Sequence, residues 1–283
     1  MFMSSLSRRH MLFAAVCGAW APGLHAQTRP VFGVVPYLPA RRLAHLYSPL
    51  LPVLGRVLGS EPEFASAPGY AQHLGRLRAG SYDIVADSLF LARLAQRELG
   101  HVPLVRTRAA LQPLLVVAAD APDTDVVRAV RGRTLAVTDR LAALSVLGLR
   151  ALRDLGLTPD SDFRVVESGT HANSLHWLAT GQAQVAIVSV TTLKQVDELL
   201  RRQVRVLAQL PEGLSAVVYH AAPRWAHRAS ALTQALLSFA DEPAGRAFID
   251  ALGHGGLVPA RKAELEALDP LVVEMYRQLG RGS

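Results

Sequence analysis

Cysteine is nearly absent from this chain. Cys17 is the single one among 283 residues, which excludes a disulfide framework, a thiolate zinc site and an intrachain thiol pair. Lysine is almost as scarce, with only Lys194 and Lys262 among 30 basic residues. The arginines that make up the rest are scattered singly and in pairs. The net charge of +7 therefore does not gather into the basic, aromatic-interleaved stripe that nucleic-acid binding requires, and no nucleic-acid partner is expected. Past the first turns of the chain no apolar run reaches the ~18 residues of a membrane helix. Enzyme signatures are missing too: there is no Gly-x-Ser-x-Gly elbow, no P-loop, no Gly-x-Gly-x-x-Gly after the first strand and no His-Glu-x-x-His. His171 and His176 stand five apart, off the i, i+4 spacing that puts two ligands on one helix face, and no paired acids accompany them. The expectation is a protein that is not an enzyme and uses no metal or cofactor.

What is present is apolar and well mixed. Hydrophobic residues make up 50% and charged residues 19%, the balance of a packed globular chain, and the length admits two domains or one with two lobes. Residues 1–26 have the three-part layout of an export signal: a polar start charged only by Arg8 and Arg9, an apolar segment from Met11 to Ala21, and Leu24-His25-Ala26 ahead of Gln27. The paired arginines also fit a twin-arginine leader, so the Sec and twin-arginine routes both stay open. Val16 before Cys17 argues against a lipoprotein. Cleavage after Ala26 would leave a periplasmic chain without cysteine.

From Val31 onward short β-branched runs alternate with helical patterns. Strands are expected at Val31 to Val35, Tyr82 to Ala86, Pro113 to Ala119, Thr134 to Val137, Phe163 to Glu167, Val185 to Val188, Val204 to Ala208 and Ser215 to His220. Helices are expected at Leu43 to Leu58, Tyr70 to Ala79, Leu89 to Leu99, Ala142 to Leu155, Ala172 to Thr180 and Leu193 to Arg202. In the fourth of these Leu144, Leu147, Ala151, Leu152 and Leu155 form one stripe, the face that lies on a sheet. Repeated strand and helix implies an α/β fold with mainly parallel sheets. After Pro223 only helical patterns remain. The two long apolar strands, Pro113 to Ala119 and Ser215 to His220, are the expected crossings between a first lobe of residues 27–117 plus 221–283 and a second of 118–220.

In such sheets ligands collect at the carboxyl ends of strands, where helix N-termini present free N–H groups. Those ends carry small hydrogen-bonding residues: Asp87 and Ser88 after the second strand, Thr138 and Asp139 after the fourth, Ser168 to His171 after the fifth, and Ser189 with Thr191 and Thr192 after the sixth. Ser, Thr and Asp are also the ordinary N-caps of helices, so each alone decides little. Their recurrence at four strand ends points to a polar, anionic ligand between lobes. Tyr37, in the first strand-to-helix loop, can offer a ring wall and a hydroxyl.

The order of these segments resembles the phosphate/phosphonate substrate-binding proteins of ABC importers. The resemblance is carried by Phe32-Gly33-Val34-Val35-Pro36, Tyr47-Ser48-Pro49-Leu50, Gly69-Tyr70-Ala71, Ala79 to Ile84, Arg131-Gly132-Arg133, and Glu167-Ser168-Gly169-Thr170-His171. Asp241 to Gly245 and Gly256-Leu257-Val258-Pro259 extend it into the tail. It implies a two-lobed, hinge-closing type II periplasmic binding protein that captures a small oxyanion such as phosphate or phosphonate. Its partner would be an importer's membrane permease and its state monomeric; a sensory partner of a receptor or histidine kinase, and an enzyme on the same scaffold, are the alternatives. The ligand set it implies here is Tyr37, Asp87, Ser88, Asp139, Ala142, Thr170, His171 and Ser189. The sequence departs from that family in four places. Asp139-Arg140-Leu141-Ala142-Ala143 replaces a run of hydroxyls, Ser189 stands where an acid is common, Gln184 where an Asp begins the sixth strand, and Asp87 where a small residue is usual.

Overall fold

The computed structural model describes residues 29–253 and 255–280. The expected leader, residues 1–26, lies outside the described residues. The first run of elements is β1 (Val31–Val34), α1 (Ala40–Tyr47), α2 (Leu51–Leu58), β2 (Glu63–Ser66), α3 (Tyr70–Arg78), β3 (Ile84–Asp87), α4 (Leu89–Leu99) and β4 (Val102–Thr107). A second run comprises β5 (Pro113–Ala118), α5 (Val126–Val130), β6 (Thr134–Val137), α6 (Ala143–Asp154), β7 (Arg164–Glu167), α7 (His171–Ala179), β8 (Val185–Ser189), α8 (Val190–Gln195), α9 (Glu198–Arg202) and β9 (Val204–Gln209). The return consists of β10 (Val218–Ala221), α10 (Ala229–Asp241), α11 (Pro243–Leu252), β11 (Leu257–Pro259), α12 (Lys262–Glu266) and α13 (Asp269–Leu279).

These strands make two sheets, one of six strands in the order β11-β4-β10-β3-β1-β2 and one of five in the order β7-β6-β8-β5-β9. Both are mixed rather than mainly parallel. β1 pairs in parallel with β2 and β3, but β10 runs antiparallel between β3 and β4. In the second sheet β6 is parallel to β7 and β8, while β5 is antiparallel to β8 and β9. The cause is the route of the chain. It enters the second sheet through β5 and re-enters the first through β10, and each entering strand runs against its neighbours.

The crossings are accordingly not the strands expected from sequence. β5 pairs along its whole length within the second sheet and β10 within the first, so the passages are residues 108–112 and 210–217. The two passages touch as an antiparallel bridge in which the N–H groups of Leu111 and Gly213 donate to each other's carbonyl oxygens at 3.1 and 2.9 Å. Beside it, buried Thr107 and Ser215 share a hydroxyl hydrogen bond of 2.8 Å.

The helix expected from Leu43 to Leu58 is broken at Ser48–Leu50 by a single 3-10 turn. Pro49 and Pro52 lack the N–H groups that a continuous helix would need there. The helix expected from Leu193 to Arg202 is likewise two: Val196 and Asp197 are extended, and the Asp197 carboxylate accepts the Leu200 N–H at 2.8 Å to start α9. α6 buries Leu144, Leu147, Ala151 and Leu152 of its predicted stripe, but Leu155 lies just past its end and is half exposed. Gly148 lets the helix approach the second sheet, since a Cβ there would sit 2.4 Å from Ile187 Cδ1. The tail is not wholly helical, because Leu257–Pro259 forms an edge strand on β4.

α13 joins the two halves. It packs on α4, beside the first sheet, and on α6, beside the second. Arg93 grips Asp269 with two bonds of 2.7 and 2.9 Å, Arg153 lies 2.8 Å from the fully buried Glu274, and Arg140 donates to Gln278 at 3.1 Å.

Candidate functional site

A cavity of about 220 Å3 opens between the sheets, lined by the β1–α1 loop, the starts of α3, α4, α6, α7 and α8, both crossing passages and the end of α11. Five of the eight sequence-predicted ligand residues line it: Tyr37, Ser88, Ala142, His171 and Ser189. Asp87, Asp139 and Thr170 do not.

The helix starts divide into two kinds. Thr170 caps α7 by accepting the Asn173 N–H at 3.1 Å, and Ser189 caps α8 by accepting the Thr192 N–H at 3.0 Å. Those side chains satisfy their own helices. α4 and α6 differ: neither Ser88 nor Ala142 makes a side-chain cap bond, although both have extended N-cap backbones. The first N–H groups of these two helices have no intrahelical acceptor, and the positive ends of both dipoles face the cavity. Ser88 is 5% exposed, yet its Oγ has no hydrogen-bond partner. A buried hydroxyl without a partner costs free energy that a ligand acceptor would recover.

His171, the first residue of α7, meets buried Thr138, with Nδ1 2.7 Å from Oγ1. Burial pushes the imidazole down to about 4, so the ring is neutral at neutral pH and acts as a hydrogen-bond donor rather than a cation. Tyr37 shares a hydroxyl bond of 3.1 Å with Tyr47, and burial pushes its phenol up to about 12, keeping it a neutral donor. Arg42 is exposed at the rim.

Asp87 is fully buried beneath the cavity floor. One oxygen accepts the Ser88 N–H at 2.8 Å; the other is 3.2 Å from His73 Nε2 and 3.6 Å from His220 Nε2. The network continues to His101, whose Nδ1 is 2.8 Å from Nδ1 of His220. Burial alone would raise the Asp87 carboxyl, but the two imidazoles beside it hold it well below the usual range. Asp139 accepts the Leu141 N–H at 2.8 Å, and burial raises its carboxyl above the usual range. Neither carboxylate is among the residues that line the cavity.

Sequence reasoning pointed to Thr192 beside Ser189 as a strand-end hydroxyl but missed Tyr70 and Gln112 as cavity residues. Tyr70 had a signal, since it follows Gly69 at a helix start as Tyr37 follows a strand. Gln112 had none, because its place depends on where the chain crosses.

No curated protein matches the sequence. Solved structures similar to it share the fold at low identity. PhnD1 from Prochlorococcus marinus in complex with methylphosphonate superposes with a TM-score of 0.75 at 11% identity, covering 89% of this chain and 98% of that one. A Xanthomonas citri protein bound to ATP gives 0.74 at 19% identity, covering 88% and 97%. A binding protein component of an ABC phosphonate transporter from Pseudomonas aeruginosa gives 0.73 at 16% identity, covering 88% of each. The two-sheet architecture is that of type II periplasmic binding proteins. Residues 32–265 match the profile of the phosphonate periplasmic substrate-binding proteins of ABC transporters, and with most of its length so matched the chain belongs to that family.

Proposed function

We propose that this chain captures a small phosphorus or sulfur oxyanion in the cavity between its two sheets and delivers it to the permease of an ABC importer. The observation that carries this reading is the buried, unpartnered Ser88 Oγ on a wall shared with the uncapped starts of α4 and α6. Together they offer an anion a hydroxyl donor and two helix N-termini, an arrangement suited to a group with several acceptor oxygens. Tyr37 and neutral His171 supply further donors. The methylphosphonate complex of the similar Prochlorococcus protein agrees with that ligand class.

Capture proceeds by closure of two lobes about residues 108–112 and 210–217, where paired passages allow rotation without breaking either sheet. One chain lines the cavity by itself, so capture calls for no residue from a second copy. Calorimetry with phosphate, methylphosphonate, methanesulfonate and acetate tests the reading. Saturable binding of at least one phosphorus or sulfur oxyanion, with Ser88→Ala weakening it, is the expected result; no binding by any of them ends the proposal.

A further inference from the structure

The cavity has two chemically distinct sets of walls. The starts of α4, α6 and α7 bring the donors described above, and Tyr70, Gln112 and Thr192 add polar side chains beside them. Around them, Leu38 and Leu46 near α1, Leu111 and Val217 in the crossings, Val190 at the start of α8 and Leu252 at the end of α11 present only hydrocarbon. These six come from separate stretches of sequence, so the apolar character is a property of the assembled cavity. A bare oxyanion would satisfy the donors and leave this surface facing water. The cavity's ~220 Å3 is room for roughly seven water-sized groups, more than a PO3 head alone fills.

Its charges also have one sign. Among the described lining residues Arg42 is a cation, His171 can become one, and none is an aspartate or glutamate. The carboxylates at the strand ends leading into α4 and α6 are committed elsewhere, Asp87 to Ser88 N–H and the His73 and His220 rings, and Asp139 to Leu141 N–H. A ligand ammonium would lose its hydration here without gaining a carboxylate partner.

We infer that the ligand is an oxyanion bearing an apolar alkyl or aryl substituent and no ammonium, its head on the helix starts and its substituent on the Leu38, Leu46, Leu111, Val190, Val217 and Leu252 surface. This rests on the oxyanion reading above and narrows it to a class. Each methylene moved from water onto that surface raises affinity by about fourfold.

The test is calorimetry on the mature protein with methyl-, propyl-, butyl- and phenylphosphonate, butanesulfonate and 2-aminoethylphosphonate, which matches propylphosphonate in length. Butylphosphonate should bind at least tenfold tighter than methylphosphonate, and 2-aminoethylphosphonate at least tenfold weaker than propylphosphonate. Val190→Asp, which places an acid at the first position of a helix where the dipole tolerates it, should narrow the second gap. Comparing butanesulfonate with butylphosphonate identifies the head group. Affinity that is flat or falls with chain length, or 2-aminoethylphosphonate binding as tightly as propylphosphonate, overturns the inference while leaving oxyanion binding intact. Absence of binding by every phosphonate and sulfonate, methyl compounds included, overturns the oxyanion reading itself and this inference with it.

Discussion

Asp87 faces His73, not the cavity: their Oδ2 and Nε2 atoms are 3.2 Å apart and both side chains are fully buried. The carboxylate holds the floor of the site together by accepting the Ser88 N–H while contacting rings from α3 and β10. Asp87→Asn should therefore act on stability. Replacing a buried, paired charge by an amide should cost about 3 kcal/mol, while oxyanion affinity measured on the folded fraction changes by less than about threefold, under roughly 0.7 kcal/mol. Urea midpoints and calorimetry on the same preparation check this. A variant as stable as wild type that binds an oxyanion much more tightly would show that the carboxylate opposes the ligand after all.

Ser88→Ala should do the reverse. Its Oγ makes no bond in the protein and does not cap α4, so its removal should shift the melting temperature little. A hydrogen bond to a charged acceptor contributes about 1.5–3 kcal/mol, and the variant should bind oxyanions about 10- to 100-fold more weakly. Unchanged affinity would remove Ser88 from the site.

The contrast between these neighbours shows how far the sequence could be read. β-branched runs such as Val185–Ser189 and the leucine stripe of α6 are legible because burial on one or both faces dictates their composition. β2, β4 and β11 were not legible. Glu63–Ser66 is a half-buried edge, Val102–Thr107 contains Pro103 and Arg106, and Leu257–Pro259 is three residues long. Among the strand-end hydroxyls, composition cannot tell Ser189, spent on its own helix, from Ser88, left free, because both are serines with extended backbones before a helix. The orientation of Asp87 was hidden for another reason. It depends on His220, 133 positions away, which reaches Asp87 only because β10 inserts next to β3.

His171 supplies a pH signature of binding. Its ring is neutral in the free protein down to about 4, and an adjacent anion favours the protonated form. The bound protein's value is then higher than the free protein's, so anion affinity should rise as pH falls toward 4. Methanesulfonate is the suitable probe, because its own charge does not change over that range. Calorimetry between pH 7 and 4.5 should show tightening in wild type and none in His171→Gln. Identical profiles for the two proteins would place the ligand away from this ring.

Acid should destabilise the fold well before its carboxylates titrate. Burial and the neighbouring His220 push His101 down to about 3, and burial pushes His171 down to about 4, against 6.5 for a free imidazole. Between about 6.5 and 4 the unfolded chain therefore holds more protons than the folded one, and stability falls as pH falls, by at most about 1.4 kcal/mol per pH unit for each ring. Below 3.8 the depressed carboxyl of Asp87 adds a loss in the same direction. Urea midpoints at pH 7, 5.5 and 4.5 should decline in order, with a shallower decline in His101→Gln. A midpoint constant over that range would mean that neither ring is held neutral by the fold.

Glu274 is one of the groups by which α13 ties α6 into the rest of the fold. It is fully buried on α13, 2.8 Å from Arg153 of α6 and 3.3 Å from Arg277, and it accepts the Gln278 side-chain N–H at 2.7 Å. Arg93 of α4 holds the other end of the same helix through Asp269. Removing the Glu274 carboxylate strands Arg153, which is 18% exposed, so Glu274→Ala should cost about 3 kcal/mol. Glu274→Gln should cost less, because an amide oxygen still accepts from Gln278. A second consequence follows from what α13 touches. α4 and α6 both turn uncapped starts to the cavity, and one oxyanion can bridge them only at a fixed separation. Glu274→Ala should therefore weaken oxyanion binding even where the variant is fully folded, whereas a surface substitution on α13 such as Val273→Thr should not. If Glu274→Ala lowers the urea midpoint but binds like wild type, α13 stabilises the fold without setting the geometry of the site.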